Sequence, residues 1–265
     1  MWKILLLEWK KLWKSIVLIH FICICGMVIL TLTLYQSYAL EYDIEAWELS
    51  SSIYGFLLPL LVVIPTCWLL YYERKQKFIL YTVPRISKRK YLFVKWVIVA
   101  GNGFSLMFLT MIVGVIVALY IKPDIIPYLP MVDSETGELT SQVKVFHLWP
   151  ELFTEQPLLY GFIFSIWRGF LASIIATMGF VLSMYSRNIF IILTGPFIYK
   201  ILENYLLSIL QVPQYRFVTA FAPETISLVG IHPVSLLVGP FIAILFILCL
   251  YIYFAKYKKQ TVYPT

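Results

Sequence analysis

The sequence predicts an all-α, polytopic membrane protein with six transmembrane helices, an amphipathic interfacial helix before the first of them, and both termini in the cytoplasm. Three observations predict this class. The 265 residues are 61% hydrophobic and only 13% charged. They contain six apolar segments that reach the ~20 residues a helix needs to cross ~30 Å of hydrocarbon. Finally, Lys and Arg are concentrated in the connections on one side of those segments.

The six apolar segments leave no room for a separate soluble domain. The longest stretch between them, 122–157, is short for an independent core. Residues 1–265 are therefore expected to form a single transmembrane domain. Its predicted spans are 16–39, 53–72, 93–121, 158–185, 189–212 and 235–255.

The basic residues predict which side of the membrane each connection faces. With the N-terminus inside, the inner stretches hold 16 of the 21 Lys and Arg residues, whereas the outer stretches hold three. Because Lys and Arg near span ends are retained on the inner side, this bias indicates cytoplasmic termini. The inner stretches are 1–15, 73–95, 186–188 and 256–265, and the outer ones are 40–52, 122–157 and 213–234.

Residues 1–15 have the pattern of an interfacial helix. On a helical projection Trp2, Trp9 and Trp13 fall on one face, and the lysines lie opposite. Such a helix lies in the membrane surface, with its aromatic side chains as anchors among the lipids. The alternative is that these residues are only a charged flank of the first span.

The connections differ in their expected roles. Residues 186–188 are so short that the fourth and fifth spans must form a tight antiparallel hairpin. Residues 122–157 contain five prolines and are predicted to form a lid-like extracellular loop. Residues 213–234 are apolar but divided by Pro and Gly, which predicts a broken extracellular or re-entrant segment. Within the second span, Pro59 and Pro65 predict kinks.

Three charged residues fall within predicted spans: Arg168, Lys200 and Glu203. Charges in hydrocarbon are costly and need partners, so Glu203 is predicted to pair with Lys200 on its own helix and with Arg168 across the hairpin. These groups either pin the two helices together or line a path for a charged substrate. Both readings remain open at this point.

The sequence lacks the common motifs of catalysis and cofactor binding. It has no phosphate-binding G-x-x-x-x-G-K-[ST] loop and no G-x-G-x-x-G. Its three histidines are far apart in the chain, so neither a metal site nor a catalytic site is expected. The net charge of +7 suggests nucleic acid, but attraction of the inner basic residues to anionic lipid explains it more simply.

The cytoplasmic loop 73–92 is the most distinctive connection. Eight basic residues between Arg74 and Lys95 surround an apolar patch that runs from Phe78 to Val83. Pro84 disfavours helix at Val83, which predicts a short helix, a turn, and then the next span. A purely solvated basic loop is the alternative, but it would have no reason to present an apolar patch. The pattern favours a docking surface for a partner protein.

The order of these features resembles the permease subunits of type-2 ABC exporters, over the whole chain. The residues that carry the resemblance are Glu8–Lys11, the hairpin Met184–Asn188 and the loop with Glu73, Leu80, Thr82, Pro84, Lys88 and Lys95. Arg85 follows Pro84 directly, whereas the family usually spaces the two by one or two small residues.

The resemblance implies a non-enzymatic subunit of a bacterial plasma-membrane exporter. ATP and magnesium would be bound by a partner ABC ATPase, and a second permease copy or a paralogue would complete a path lined by spans 2 and 5. The implied cargo is hydrophobic or amphipathic, with antimicrobial peptide export or immunity as one version. The implied coupling residues are Glu73, Phe78, Leu80, Tyr81, Thr82, Pro84, Arg85 and Lys88.

Two other function classes compete with this reading. An ATPase-independent secondary transporter would require inverted repeats and ion-binding carboxylates within spans. The sequence shows no repeat and only Glu203 as an intramembrane carboxylate. An intramembrane enzyme would require a convergent catalytic set, which the sequence lacks.

Overall fold

Nearly all of the described chain is helical. The computed structural model describes residues 2–76, 87–128, 131–132, 139–141, 143, 147–186, 188–226 and 232–257. Its α-helices are α1 (Trp2–Leu34), α2 (Glu45–Val63), α3 (Cys67–Lys75), α4 (Lys88–Ile116), α5 (Pro150–Glu155), α6 (Pro157–Tyr185), α7 (Ile189–Ile209), α8 (Phe217–Phe221) and α9 (Ser235–Tyr257). Three 3-10 segments span Tyr35–Ser37, Pro213–Tyr215 and Pro223–Thr225, and a π-helical extension of α4 spans Val117–Ile121. An antiparallel strand pair consists of β1 (Met131–Val132) and β2 (Leu139–Thr140).

Six helical stretches are long and apolar enough to cross a membrane, which confirms the predicted helical class and the number of candidate spans. They are α1, α2 together with α3, α4, α6, α7 and α9. The small β1–β2 pair lies in the long connection after α4, outside these helices.

The first helix differs from the expected pattern. A single helix runs without interruption from Trp2 to Leu34, so the segment 1–15 and the span 16–39 are not separate elements. Residues 2–25 contain neither Pro nor Gly, and nothing in them ends the hydrogen-bond ladder. The amphipathic stretch is therefore the first part of a longer helix.

The second candidate span begins earlier than predicted and is broken once. Helix α2 starts at Glu45 rather than at residue 53, with Glu45 and Glu48 in its first turn, where carboxylates favour a helix N-terminus. Pro59 lies inside the continuous helix. Of the two positions where kinks were predicted, the helix is interrupted at Pro65, because residues 64–66 form a turn between α2 and α3.

Helix α6 forms the centre of the bundle and packs most extensively on α4. Small residues allow the two backbones to approach closely. A Cβ atom on Gly103 would lie 3.0 Å from the carbonyl oxygen of Ala172, and one on Gly161 would lie 2.6 Å from Val115. Helices α2, α3, α7 and α9 contact the remaining sides of α6. Close packing of this kind is what holds helices together where surrounding lipid is as apolar as the side chains.

The connections place charges at the two ends of the bundle. Because successive long helices run in alternate directions, α1 and α4 begin at the same end at which α3 and α6 finish. We call this the basic end and define it by Lys11 and Lys95. We call the opposite end, which holds Glu48 and Glu224, the acidic end.

Two predicted connections lie partly within the described residues. Helix α6 ends at Tyr185 and α7 begins at Ile189, where the Asn188 side chain accepts a hydrogen bond from the backbone N–H of Phe190 at 2.9 Å. The segment after α7 is broken, as its prolines predict, into short helical pieces. Within its described part, 213–226, Phe217 and Phe221 are fully buried against the long helices.

Candidate functional site: two buried charge networks

Two clusters of charged side chains are buried in the bundle, one at each end. The basic-end network consists of Glu8, Lys11, Glu73, Tyr91 and Lys95. The Lys11 ammonium lies 2.6 Å from Glu8 and 3.0 Å from Glu73, and the Lys95 ammonium lies 2.6 Å from Glu73 and also contacts Glu8. The Tyr91 hydroxyl donates to the second oxygen of Glu73 at 2.6 Å. Three helices, α1, α3 and α4, therefore meet through one set of ion pairs.

The basic-end network is balanced in charge. Two carboxylates face two ammonium groups, and the carboxylates are almost completely buried, as is Lys95 at 5% exposure. Removing one partner from such a buried set typically costs about 3–5 kcal/mol, because the remaining charge is then unpaired in a poorly solvated site. The network thus fixes the relative positions of the helices that flank residues 77–86.

Arg74 extends this fixation to α6. Its guanidinium donates to the backbone carbonyl of Ser183 at 3.2 Å and to that of Ser186. Glu73 and Arg74 are neighbours in sequence but bind in different directions, the first to α1 and α4 and the second to the end of α6. The last turn of α3 is held on both sides as a result.

Most of the predicted coupling residues lie outside the described part of the chain. This applies to Phe78, Leu80, Tyr81, Thr82, Pro84 and Arg85. Of the others, Lys88 begins α4, and Glu73 lies in the basic-end network. The resemblance singled out Glu8, Glu73 and Lys95 in separate parts of the sequence, and the fold brings these three into direct contact.

The tryptophans of α1 lie away from the network. Trp2, Trp9 and Trp13 are 71%, 42% and 46% exposed, whereas Glu8 and Leu12 on an adjoining face are buried against the bundle. The aromatic face is therefore available to surrounding lipid. Not all of the lysines of α1 are left to solvent, because Lys11 pairs with Glu8 and Glu73.

The acidic-end network consists of Glu48, His147, Tyr160, Arg168 and Glu224. Glu48 lies at the start of α2 and receives hydrogen bonds from two sides, from His147 Nε2 at 3.0 Å and from the Tyr160 hydroxyl at 3.2 Å. Arg168 of α6 forms an ion pair with Glu224 at 3.2 Å. The connection before α6 thus contributes His147 to this cluster, and the connection after α7 contributes Glu224.

Arg168 is held in place from all sides. Only 1% of the residue is exposed, and its guanidinium carbon lies 4.3 Å from the centre of the Trp47 ring, in cation–π geometry. Its Nε donates to the Phe221 carbonyl oxygen at 2.9 Å. The planar guanidinium therefore stacks its face on an aromatic ring and donates hydrogen bonds from its edge, and the ammonium group of Lys could not do both.

The predicted pairing of Glu203 with Arg168 and Lys200 is wrong. Glu203 instead accepts a hydrogen bond from the backbone N–H of Phe217 at 2.8 Å. The Lys200 ammonium donates to the backbone carbonyl of Gly55 on α2. Height along a helix gave the sequence-based pairing but not the direction in which each side chain points. Glu203 points toward Phe217 in the segment after α7, and Lys200 points toward α2.

Burial and neighbouring charges shift the pKa values of groups in the connecting segments. Burial raises the pKa of the Glu224 carboxyl, the charge of Glu48 adds to this, and Arg168 opposes it. Burial alone would lower the pKa of His147, but the hydrogen bond and the charge of Glu48 outweigh it, so that this pKa is raised. Both shifts favour the protonated forms at the acidic end.

Two clefts adjoin the acidic-end network. The first has a volume of 390 Å³ and is lined by Glu45, Glu48, His147 and Glu224 together with apolar side chains. The second, of 190 Å³, lies between α2 and α7 and is lined by Lys200 and several aromatic and aliphatic residues. Both clefts include Ser52 and Thr225, so they are neighbours along the same face of α2.

Sequence reasoning missed the acidic-end network because it placed Glu48, His147 and Glu224 in outer connections. One signal existed for Glu48: the carboxylates Glu45 and Glu48 lie three residues apart just before an apolar run, which is typical of a helix start. His147 and Glu224 gave no comparable signal. Among the residues that the structure describes, no group of three or more His, Cys, Asp or Glu side chains is arranged to hold a metal ion.

Comparison with known proteins identifies no relative of the chain. No protein-family model matches the chain, and no curated protein or solved structure shows significant similarity to it.

Proposed function

We propose that the chain is the membrane-spanning permease subunit of an ABC exporter. In this role it would couple ATP hydrolysis by a separate ATPase to the export of a hydrophobic or amphipathic substrate across a bacterial plasma membrane. It would carry no ATPase activity itself. The observation that supports the proposal most directly is the basic-end network. It joins the helices on both sides of the proposed docking loop, where coupling requires a rigid connection.

Coupling requires that a movement imposed on one loop reaches the spans. Residues 77–86, with their apolar patch and basic flanks, are the proposed docking element for the ATPase. Glu73 precedes them and Lys95 follows them, and these two residues lie 2.6 Å apart in one buried network with α1. A push on the loop would therefore move α1, α3 and α4 together rather than bend one helix end. Arg74 would pass the same movement to α6.

The arrangement of α2 and α7 supports the proposed path. These are the second and fifth candidate spans, and the cleft of 190 Å³ lies between them. On α7, Ile198, Leu202, Tyr205 and Leu206 are each more than half exposed. A second permease copy or a paralogue would cover this apolar face and enclose the path. In the same proposal, Trp2, Trp9 and Trp13 would anchor α1 in the cytoplasmic lipid surface.

The proposal is tested by co-purification. The tagged chain is solubilised from the cells that produce it, and co-purifying ABC ATPase is quantified by mass spectrometry. Leu80→Asp puts a charge into the proposed docking patch, so the amount of ATPase should fall at least about tenfold, the effect of burying an unpaired charge. Ile126→Asp adds the same charge to a residue that is 93% exposed at the acidic end, and it should retain the ATPase.

Two results would contradict the proposal: the absence of any ABC ATPase from the wild-type preparation, or equal retention by Leu80→Asp and Ile126→Asp. The first would favour the alternative of an ATPase-independent carrier. One observation favours that alternative, namely the buried ionisable groups of the acidic-end network, since proton-coupled carriers place such groups within the membrane domain.

A further inference from the structure

The first acidic-end cleft has an uneven distribution of charge. Three carboxylates, those of Glu45, Glu48 and Glu224, line it, and His147 is the basic side chain on its described surface. Arg168 does not line the cleft, because its guanidinium lies against Trp47 inside the bundle. The charged side chains that line the cleft are thus three carboxylates and one imidazole, and Arg168 pairs with only one oxygen of Glu224. A cation entering the cleft would be attracted wherever these carboxylates are ionised, which for Glu224 means above its raised pKa.

Two polar atoms in the wall of this cleft are buried without a hydrogen-bond partner among the described residues. They are Oε2 of Glu224 and Nδ1 of His147, whose side chain is only 7% exposed. Buried acceptors without a donor cost free energy, and in native proteins they commonly mark a place where another group binds. The oxygen of Glu224 is the acceptor of the two, because Nδ1 of His147 is a donor in the protonated ring and an acceptor only when the neutral ring donates from Nε2 to Glu48.

The chemistry of the walls narrows the class of ligand. The described carboxylates do not form a metal-binding group. Leu40 and Val143 add buried apolar surface, and the volume of 390 Å³ lies within the range of about 300–1,000 Å³ that is typical for small organic ligands. The neighbouring cleft continues this surface along α2 with Phe56 and Phe197. A ligand with one charged end and one apolar end matches both parts.

We propose that the acidic-end cleft binds an amphipathic organic cation. Its ammonium group would donate hydrogen bonds to Glu224 and interact with the carboxylates of Glu45 and Glu48. Its apolar part would lie against Leu40 and Val143 and extend toward the second cleft. This site goes beyond the proposed function, because binding here requires neither an ATPase nor a second permease copy.

Binding is measured on the chain alone, in phosphatidylcholine nanodiscs, by isothermal titration with hexylammonium chloride. We expect saturable binding that exceeds the signal from empty nanodiscs. Hexanol and hexanoate carry the same chain without the positive charge, and neither should compete. Glu45→Gln and Glu224→Gln should each weaken binding at least about tenfold, as expected for the loss of a charge-assisted hydrogen bond. Glu151→Gln, an exposed carboxylate outside the cleft, should leave the Kd unchanged.

A steric variant makes the test independent of charge and folding. Ser52 is exposed and lines the cleft, so Ser52→Trp should obstruct it and abolish hexylammonium binding without removing a buried contact. The melting temperature of each variant shows whether it is folded. The proposal is overturned if hexanol competes as well as hexylammonium does, or if folded Ser52→Trp and Glu45→Gln bind with the wild-type Kd. These outcomes do not depend on whether an ATPase co-purifies.

Discussion

The two ends of the bundle solve the problem of buried charge differently. At the basic end, two carboxylates and two ammonium groups are matched, and a tyrosine hydroxyl satisfies a further acceptor of Glu73. At the acidic end, the cleft is lined by three carboxylates, and Glu224 and His147 each have one atom without a hydrogen-bond partner among the described residues. The difference suggests that the first network holds helices together, whereas the second is built to accept something else.

The comparison also separates the kinds of residues that each end uses. The basic-end partners all lie on α-helices, so their geometry is fixed by the packing of α1, α3 and α4. The acidic-end partners include His147 and Glu224, which lie in connecting segments. Segments of that kind rearrange at a lower cost than a helix in a bundle. A ligand-dependent rearrangement is therefore easier at the acidic end.

The largest expected effect is on stability at the basic end. Lys95→Met leaves the carboxylates of Glu8 and Glu73 with Lys11 as the one remaining ammonium in the network, so we expect a loss of about 3–5 kcal/mol. Measured as the melting temperature in detergent, the variant should be lower by about 10 °C. Lys10→Met, which changes an exposed lysine of α1 at the same end of the bundle, is the control and should melt like the wild type.

A second substitution shows whether charge balance is the cause. Adding Glu8→Gln to Lys95→Met restores one carboxylate facing one ammonium, so the double variant should melt above Lys95→Met alone. If Lys95→Met melts like Lys10→Met, the network does not hold the three helices together, and the contrast between the two ends fails.

The outcome at each end reflects what a sequence can specify. The number of long helices follows from apolar length, and the break near Pro65 follows from the proline itself. The contacts of Glu8, Glu73 and Lys95 depend on how three helices are rotated against one another, which neither length nor charge count determines. The resemblance singled out these residues without indicating that they touch.

The acidic end was less predictable for a different reason. His147 lies over 90 residues from its partner Glu48, and Glu224 lies over 50 residues from Arg168. Such contacts depend on the path of two irregular connections, whose prolines predict breaks but not directions. The apolar character of 213–234 predicted an extracellular or re-entrant segment without deciding between the two, and it did not predict that Phe217 and Phe221 would be fully buried.

A change of pH should have an intermediate effect on stability, and this effect should arise at the acidic end. The raised pKa of His147 means that its contribution to stability is present below its ordinary pKa of 6.5 and is lost as the pH rises through the raised value. The pKa of Glu224, raised from 4.5 to about 7, has the same sign, because the folded state keeps a proton that the unfolded state releases. Stability should therefore fall between pH 5 and pH 8, by about 1–2 kcal/mol.

The measurement is the melting temperature of wild type and of His147→Gln/Glu224→Gln across this pH range. The groups that face these two side chains are Glu48, Arg168 and Glu45, and all three are retained in the double variant. Its melting temperature should depend less steeply on pH than that of the wild type. An equal dependence in both proteins would place the titrating groups elsewhere and would remove this difference between the ends.

The smallest effect is expected for Glu203→Gln. Glu203 has neither the balanced pairing of the basic end nor a position in the acidic-end cleft: one oxygen accepts from Phe217 N–H at 2.8 Å, and the other has no partner among the described residues. A Gln carbonyl can accept the same hydrogen bond, and its amide removes the cost of a buried negative charge. We expect a change in stability below about 1 kcal/mol, within the range of a single neutral hydrogen bond.

Glu203→Ala, which removes the acceptor and leaves the N–H of Phe217 unpaired, should cost more than Glu203→Gln in the same melting experiment. If Glu203→Gln were as damaging as Lys95→Met, its carboxylate would have to be charged and paired in the folded protein. A charged partner such as Lys200, which here donates to the Gly55 carbonyl, would then have to replace the contact with Phe217.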